Sequence, residues 1–145
     1  MKEIEILARA LIPDGDHILL VRSSGGDYTF LPGGHVEWGE AAPHALTREL
    51  REELGIACEV GAYLGAVEHA WRDASGKHHE INHCFLASCR GLARTRDPES
   101  VEPQLEFLWA QAKDFDQCNL MPLPLRALIR ALLGGEREAW WGSTL

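Results

Sequence analysis

The stretch from residue 34 to residue 56, GHVEWGEAAPHALTRELREELGI, constrains the chain most strongly, because it joins a glycine-containing loop to a short amphipathic segment. Apolar residues recur there at four-residue intervals: Ala42, Leu46, Leu50 and Leu54. Pro43 suits the first turn of a helix, and Gly55 suits a C-terminal cap. This pattern predicts a helix over residues 41–54 with one buried face.

Three carboxylates lie beside that buried face. At about 100° per residue, Glu49, Glu52 and Glu53 fall within one arc next to the apolar stripe, whereas Arg48 and Arg51 fall on the solvent side. Like charges three and four residues apart repel each other, and partial burial adds a desolvation penalty. A solvated acidic face is the ordinary interpretation of such a helix. A divalent cation such as Mg²⁺ would relieve both penalties and keep positions for substrate phosphates.

The complete spacing favours the metal interpretation. The defined positions are Gly34, Glu40, Arg48, Glu49, Leu50, Glu52, Glu53, Gly55 and Ile56. They match Gx5Ex7REUxEExGU, with U an aliphatic residue, at every position, which by background residue frequencies has a chance on the order of one in a billion per start site. This segment resembles the Nudix box. It covers 23 of 145 residues, and the preceding Phe-Leu-Pro-Gly and the mixed strands after it are also similar to the family.

The resemblance to the Nudix hydrolases implies an α/β fold, an α/β/α sandwich around a mixed β-sheet. It also implies metal-dependent hydrolysis of a pyrophosphate bond in a nucleoside diphosphate linked to another moiety. The implied cofactor is Mg²⁺ or Mn²⁺. The implied metal ligands are Gly33, through its carbonyl, and Glu49, Glu52 and Glu53. Arg48 would orient Glu49, and Glu40 would be a structural or secondary metal residue.

The family often adds one carboxylate from beyond the box. A charged, proline-bounded loop at residues 91–103 is too long for a tight turn, and long loops in compact domains are often functional. Its Glu102 is the first candidate, with Glu99, Glu106 and Glu80 as alternatives; each is otherwise an ordinary surface acid. Either Glu49 or this later acid would activate the attacking water. The expected catalytic residues are therefore Glu49, Glu53, Arg48 and Glu102.

The moiety attached to the nucleoside diphosphate is not written in the sequence. Markers of the ADP-ribose, dinucleoside-polyphosphate and NADH types are absent downstream of the box. Arg22, Glu80 and Asn119 are candidate substrate contacts; their ordinary alternatives are a surface cation, a surface acid and a turn residue. A non-catalytic nucleotide-binding module with the same fold is the alternative function, which the intact glutamates disfavour.

The segment His79-Glu80-Ile81-Asn82-His83 matches the HExxH signature of zinc proteases. That signature works on a helix, but a turn at residues 73–77 leads here into a predicted strand at residues 78–87. On a strand, residues four apart are separated by roughly 13 Å and cannot share one zinc ion. The zinc-peptidase interpretation is therefore rejected. The strand would place His78, Glu80 and Asn82 on one face, and one of its faces could line the substrate cleft.

The remaining pattern predicts a hairpin from strands at residues 4–12 and 18–21, and further strands at residues 28–31, 57–60, 63–71 and 104–110. Residues 113–115 begin a short turn or helix. A second amphipathic helix is predicted at residues 122–133, with Leu125, Leu128, Ile129 and Leu132 as its packing face.

Composition indicates one domain over residues 1–145, because 145 residues with 46% hydrophobic content can bury a core. A net charge of −8 argues against a nucleic-acid polymer or an anionic membrane as partner. It would also repel a phosphorylated substrate, so the metal would have the second task of offsetting local charge; the small nucleotide-diphosphate substrate is what the resemblance implies. No apolar run suits a membrane span or signal peptide, so a cytoplasmic protein is expected. The cysteines, at positions 58, 84, 89 and 118, form no CxxC pair and are expected to be reduced. Trp140 and Trp141 would pack on the fold or form a homodimer contact.

Overall fold

The computed structural model describes residues 2–145. The strands are β1 (Glu5–Leu11), β2 (Pro13–Asp14), β3 (His17–Ser23), β4 (Gly33–His35), β5 (Cys58–Asp73), β6 (Gly76–Cys89), β7 (Leu105–Gln111) and β8 (Trp140–Ser143). The helices are α1 (Ala42–Leu54) and α2 (Pro124–Leu133), and a 3₁₀ turn covers Ala112–Asp114.

The strands form two sheets. A five-stranded mixed sheet has the order β4-β1-β6-β5-β8, with β1 parallel to β6 and β5 parallel to β8. A three-stranded antiparallel sheet has the order β2-β3-β7. Helix α1 contributes to one hydrophobic core and α2 to the other, on opposite faces of the mixed sheet. The predicted α/β architecture with a mixed sheet and two helices is confirmed.

Helix α1 forms where the sequence predicts it. Leu46 and Leu50 are fully buried and pack with Ala8 and Ala10 of β1. Gly55 ends the helix in the left-handed conformation, with φ 71°, and its N–H donates to the carbonyl of Arg51. The helix axis is thereby fixed beside β1 and β4, which brings its carboxylates to the loop before the box.

The predicted hairpin near residues 13–16 exists, but it is shorter than expected. Only Pro13–Asp14 pairs with the start of β3 in that ladder. Strand β1 pairs with β4 and β6, whereas β3 pairs with β7, so the two strands belong to different sheets. The pattern of apolar residues fixes which side chains are buried but does not name the partner strand.

Two other strand predictions differ in extent. The predicted strands at 57–60 and 63–71 are one long strand, β5, with register shifts between Val60 and Gly65. Residues 28–31 form only isolated bridges, Val21 to Phe30 and Thr29 to Leu120. The strand assignment for the HExxH segment is confirmed, because β6 pairs along its length with β5.

The cysteines and the C-terminal tryptophans also differ from expectation. Cys58 and Cys89 are cross-strand neighbours joined by a disulfide, with Cα atoms 4.3 Å apart. The prediction of four reduced cysteines is therefore wrong for this pair; Cys84 and Cys118 are free. The spacing of the cysteines did not predict this pair, because the partners lie 31 positions apart in sequence.

Of the two C-terminal tryptophans, Trp140 is buried in β8, while Trp141 is 64% exposed.

Within residues 2–145, no helix combines the length and hydropathy that crossing a membrane requires.

Candidate active site

Glu53 is the most unusual acid of the described chain. It is 6% exposed at the C-terminal end of α1, and its Oε2 is buried without a hydrogen-bond partner among residues 2–145. Burial raises the pKa of this carboxyl to about 8. The negative charges of Glu49 and Glu102 raise the pKa further, whereas the positive charge of Arg9 and the backbone of Gly33 lower it. The positive charge of Arg9 therefore does not offset the burial of Glu53 and the negative charges beside it.

Glu49 lies one helical turn before Glu53 and faces the glycine pair of β4. A Cβ built on Gly34 would lie 2.5 Å from Cδ of Glu49, so only glycine leaves room for this carboxylate. Gly33 has φ 138°, and a Cβ there would collide with the carbonyl oxygen of Ala8. The two glycines thus allow backbone, helix and carboxylate to approach each other closely.

Arg48 holds the acidic groups around the helix in place. Its guanidinium donates to Glu40 (2.8 and 2.9 Å), Glu49 (3.0 Å) and Glu52 (3.3 Å). It also donates to the carbonyl of His35 at 3.1 Å. The hydrogen bonds to the three carboxylates raise the pKa of Arg48. The hydrogen bonding between Arg48 and Glu40 is also the main cause that lowers the pKa of the Glu40 carboxyl to about 2.

The prediction that Arg48 faces solvent is wrong, since its side chain is only 28% exposed. A helical-wheel projection considers only the helix itself. The hydrogen-bond partners Glu40 and His35, which hold the Arg48 side chain, come from the loop and the strand before the helix. The contact with Glu49 agrees with the orienting role that the family resemblance implies.

The long loop places Glu102 near Glu53. Val101 N and Ser100 Oγ both donate to the carbonyl of Glu53, at 2.8 and 3.3 Å. These bonds hold the loop on the end of α1, and the charge of Glu102 consequently acts on the Glu53 carboxyl. Glu102 Oε2 accepts a 2.7 Å hydrogen bond from Gln104.

Of the other acids considered for this role, Glu106 pairs with Arg22 at 2.9 Å, and Glu80 lies in a separate cavity.

The donor set suits a hard cation but does not enclose one. Glu52 is the most exposed of the three acids predicted as ligands, with 49% of its side chain accessible. Over residues 2–145, no three His, Cys, Asp or Glu side chains are arranged so that they could hold a metal by themselves. The unpartnered oxygen of Glu53 and the Glu49 carboxylate held against Gly34 fit an ion that takes only part of its ligands from protein, as Mg²⁺ does.

Two predicted substrate contacts, Glu80 and Asn119, line one cavity of about 440 Å³. Its aromatic side chains are Tyr28, Phe30 and Trp71. Glu80 is 7% exposed and accepts a hydrogen bond from Nε1 of Trp71 at 3.1 Å. An aromatic cavity with a few fixed polar groups is the usual form of a small-molecule site.

Asn119 is also a turn residue, which was the alternative to a substrate contact in the sequence analysis. It has φ 53°, and its Oδ1 accepts a hydrogen bond from Arg126 at 3.0 Å.

Arg22 lies apart from this cavity. Its Nε donates to Glu106 at 2.9 Å, and it lines a surface groove of about 560 Å³ that also contains Glu102. The structure therefore brings Arg22 towards the predicted loop acid but not towards Glu80 and Asn119.

Sequence reasoning missed Arg9 and the aromatic wall of the cavity. Arg9 donates through Nε to Oδ1 of Asn82 at 3.1 Å and through Nη1 to the carbonyl of Leu31 at 3.1 Å. A charged residue between Ala8 and Ala10, in the otherwise apolar run of residues 6–12, was the available signal. Tyr28 and Phe30 come from one segment, whereas Trp71 comes from β5, and no local pattern connects it to them.

Comparison with known proteins identifies the family of the chain. The sequence matches the family model for the NUDIX domain over residues 5–132. The CTP pyrophosphohydrolase of Escherichia coli (strain K12) is 31% identical over 137 residues, covering 91% of this chain and 95% of that protein. An isopentenyl-diphosphate Delta-isomerase of Cereibacter sphaeroides (strain ATCC 17025 / ATH 2.4.3) is 36% identical over 109 residues, 69% of this chain and 59% of that enzyme.

Among solved structures, a MutT NUDIX hydrolase from Burkholderia pseudomallei superposes with a TM-score of 0.64 at 30% identity, covering 92% of this chain and 98% of that one. The family model spans most of the chain, and the CTP pyrophosphohydrolase aligns over nearly its whole length. This chain belongs to the NUDIX family.

Proposed function

We propose that the chain is a metal-dependent pyrophosphohydrolase that cleaves the phosphoric anhydride of a nucleoside diphosphate linked to another moiety. The observation that carries this proposal is the Glu53 carboxyl, buried beside Glu49 and Glu102 with an unpartnered oxygen. A fold that buries one acid beside two others that repel it gains most when a cation and phosphates occupy the place.

Membership of the NUDIX family supports a hydrolase acting on phosphoric anhydrides, and so does the similarity to a CTP pyrophosphohydrolase. The isomerase relative supports it less, because the chain spans only 59% of that enzyme.

The carboxylates of Glu49, Glu52 and Glu53 and the carbonyl of Gly33 would hold Mg²⁺ or Mn²⁺. When bound, such an ion neutralises phosphate charge and lowers the pKa of bound water. Arg48 keeps Glu49 in place through its 3.0 Å hydrogen bond and neutralises Glu40 and Glu52. The protein's contribution is thus a fixed set of oxygens that needs no rearrangement when substrate binds.

The reaction is an in-line displacement at phosphorus. The oxygen of water forms a bond to one phosphorus, and the bond from that phosphorus to the bridging oxygen breaks. The bridging oxygen leaves on the other phosphate, and a carboxylate accepts the proton of the water. We assign this base to Glu102, with Glu49 as the alternative, because Glu102 sits on a loop anchored to Glu53 and lies outside the helix.

The aromatic cavity would take the nucleoside. A flat base can stack against Tyr28, Phe30 or Trp71, while Glu80 and Asn119 hydrogen-bond its edge. The net charge of −8 makes polymeric nucleic acid an unsuitable ligand. We therefore propose a small nucleotide as the substrate. Arg22, in the groove shared with Glu102, is proposed to contact a phosphate.

The test is a substrate panel with Mg²⁺ or Mn²⁺. The panel contains ribo- and deoxyribonucleoside triphosphates, nucleotide sugars, ADP-ribose, dinucleoside polyphosphates and isopentenyl diphosphate. Products separated by ion-exchange chromatography identify the broken bond. Water labelled with ¹⁸O identifies the attacked phosphorus, because only that phosphate gains the label.

Cleavage between two phosphates of at least one nucleotide supports the proposal. Isomerisation of isopentenyl diphosphate without hydrolysis of any nucleotide overturns it. So does nucleotide binding without turnover, which indicates a binding module. Glu53→Gln should lose this turnover, and Glu59→Gln is its matched control, because Glu59 is an exposed acid on β5 outside the box.

A further inference from the structure

A chain of buried hydrogen bonds leads from the aromatic cavity to β1. Glu80 Oε2 accepts from Trp71 Nε1 at 3.1 Å, and Glu80 Oε1 accepts from Asn82 Nδ2 at 3.1 Å. Asn82 Oδ1 in turn accepts from Arg9 Nε at 3.1 Å. Glu80 and Asn82 are 7% and 2% exposed, so water does not replace these partners easily.

Arg9 determines how this chain is oriented. A guanidinium N–H can only donate, so Asn82 must present its oxygen to Arg9 and its NH₂ group to Glu80. The Glu80 carboxylate is thereby fixed from two sides and keeps its remaining acceptor capacity for the cavity that it lines. Within residues 2–145 no lysine, arginine or histidine forms an ion pair with Glu80 within 4.0 Å.

The same guanidinium also contacts the segment that leads into the box. Its Nη1 donates to the carbonyl of Leu31 at 3.1 Å, and its Cζ lies 5.5 Å from the centroid of the Phe30 ring. Leu31 is two residues before Gly33, and Gly33 is the register partner of Arg9 itself in the β1–β4 ladder.

We infer that Arg9 is a positioning residue for both halves of the site: through Asn82 it fixes Glu80 in the cavity wall, and through Leu31 it fixes the backbone that carries Gly33. The inference rests on the proposed function for its substrates. It adds that selection of the base and placement of the reacting phosphates depend on one guanidinium.

Two variants separate these halves. Arg9→Lys keeps the charge, but one ammonium does not reproduce the planar fork that serves Asn82 and Leu31 together. Asn82→Ala removes the link between Arg9 and Glu80, together with a 3.3 Å hydrogen bond to the carbonyl of Val67, and leaves the hydrogen bond from Arg9 to Leu31 in place. We expect Asn82→Ala to reduce the spread of kcat/KM across the four nucleoside triphosphates with little change in kcat. We expect Arg9→Lys to reduce the same spread and also to lower kcat by about tenfold or more, as supporting residues commonly do.

The double variant tests the connection. If Arg9 acts on the cavity through Asn82, Arg9→Lys adds nothing to the loss of base selectivity in the Asn82→Ala background. Arg130→Lys is the matched control, because Arg130 makes the same kinds of contact away from the site. Its Nη2 donates to the carbonyl of Ala112 at 3.0 Å, and its Cζ lies 5.5 Å from the Phe115 ring.

Thermal unfolding of each variant accompanies the kinetics. Wild-type selectivity and kcat in Arg9→Lys, or a loss equal to that of Arg130→Lys, overturns the inference, as does a wild type that does not discriminate between bases. If wild type binds nucleotides without hydrolysing them, the proposed function fails. The role of Arg9 in positioning Glu80 is then tested by comparing the dissociation constants of the four nucleotides between wild type and the variants. If Arg9→Lys does not fold, Asn82→Ala tests the link from Arg9 through Asn82 to Glu80. Unchanged selectivity between bases in Asn82→Ala then overturns the inference.

Discussion

The carboxylate of Glu49 occupies the space that a side chain on Gly34 would need, since a Cβ there would lie 2.5 Å from Glu49 Cδ. A Gly34→Ala substitution must therefore displace the carboxylate. We expect kcat to fall by about 100-fold, because small misplacements at a reacting centre cost that much. Circular dichroism and thermal unfolding should remain close to wild type.

Gly61→Ala is the control for that substitution, because a Cβ there would meet the carbonyl oxygen of Leu86 at 3.5 Å, an ordinary contact distance. Full activity in Gly34→Ala would show that Glu49 has no required position.

The Glu53 carboxyl makes the metal-free protein sensitive to pH. Its pKa is raised from 4.5 to about 8 by burial, so the folded state retains a proton that the unfolded chain releases. The free energy of unfolding should consequently fall as pH rises from 4.5 to 8, by at most about 1.4 kcal/mol per pH unit. Glu53→Gln stays neutral and lacks this decline.

Thermal unfolding in EDTA at pH 5 and pH 8.5 measures this effect. Glu53→Gln should match wild type at pH 5 and unfold at a higher temperature at pH 8.5, while Glu59→Gln should follow wild type at both. Parallel pH profiles for wild type and Glu53→Gln would mean that the buried carboxyl titrates normally.

Arg48 should not be replaceable by lysine. Its guanidinium serves Glu40, Glu49 and the carbonyl of His35 at once, and an ammonium does not reproduce that geometry. We expect Arg48→Lys to lower kcat by about 10- to 100-fold and to weaken Mn²⁺ binding in calorimetric titrations. Arg51→Lys, an exposed neighbour on the same helix, should behave like wild type. Equal effects at the two positions would remove the orienting role.

The acid outside the box that accepts the proton of water can be identified by comparing residues of the same loop. Glu102→Gln should lower kcat by about 100-fold if Glu102 accepts the proton of water. Glu99→Gln, on the exposed part of the loop, should have little effect. A normal pH–rate profile in Glu102→Gln, together with a large loss in Glu49→Gln, would move the role of base to Glu49.

The Cys58–Cys89 disulfide should be detectable and stabilising. Peptide mapping under non-reducing conditions should link these two residues and leave Cys84 and Cys118 free. Because the partners lie 31 positions apart in sequence, reduction should lower the free energy of unfolding by roughly 3–4 kcal/mol in the chain-entropy account. The Cys58→Ser/Cys89→Ser variant should not respond to reductant; a response in that variant would place the effect elsewhere.

How far the sequence predicts this molecule depends on how local the determinant is. Helix α1, its glycine cap and the strand nature of the HExxH segment follow from spacing within 20 residues or so, and the structure confirms them. Strand partners, the disulfide and the inward position of Arg48 depend on segments that meet only in the folded chain. The aromatic cavity shows this most clearly, because Tyr28, Trp71 and Met121 come from three distant parts of the sequence.

The most direct test of the central claim is turnover of the nucleotide panel by wild type and Glu53→Gln, with Mg²⁺ and again with EDTA. The account predicts hydrolysis by wild type that needs the metal, and a loss of at least about 100-fold in Glu53→Gln despite an intact fold. Equal turnover by the two proteins, or turnover by wild type that EDTA leaves unchanged, would contradict it.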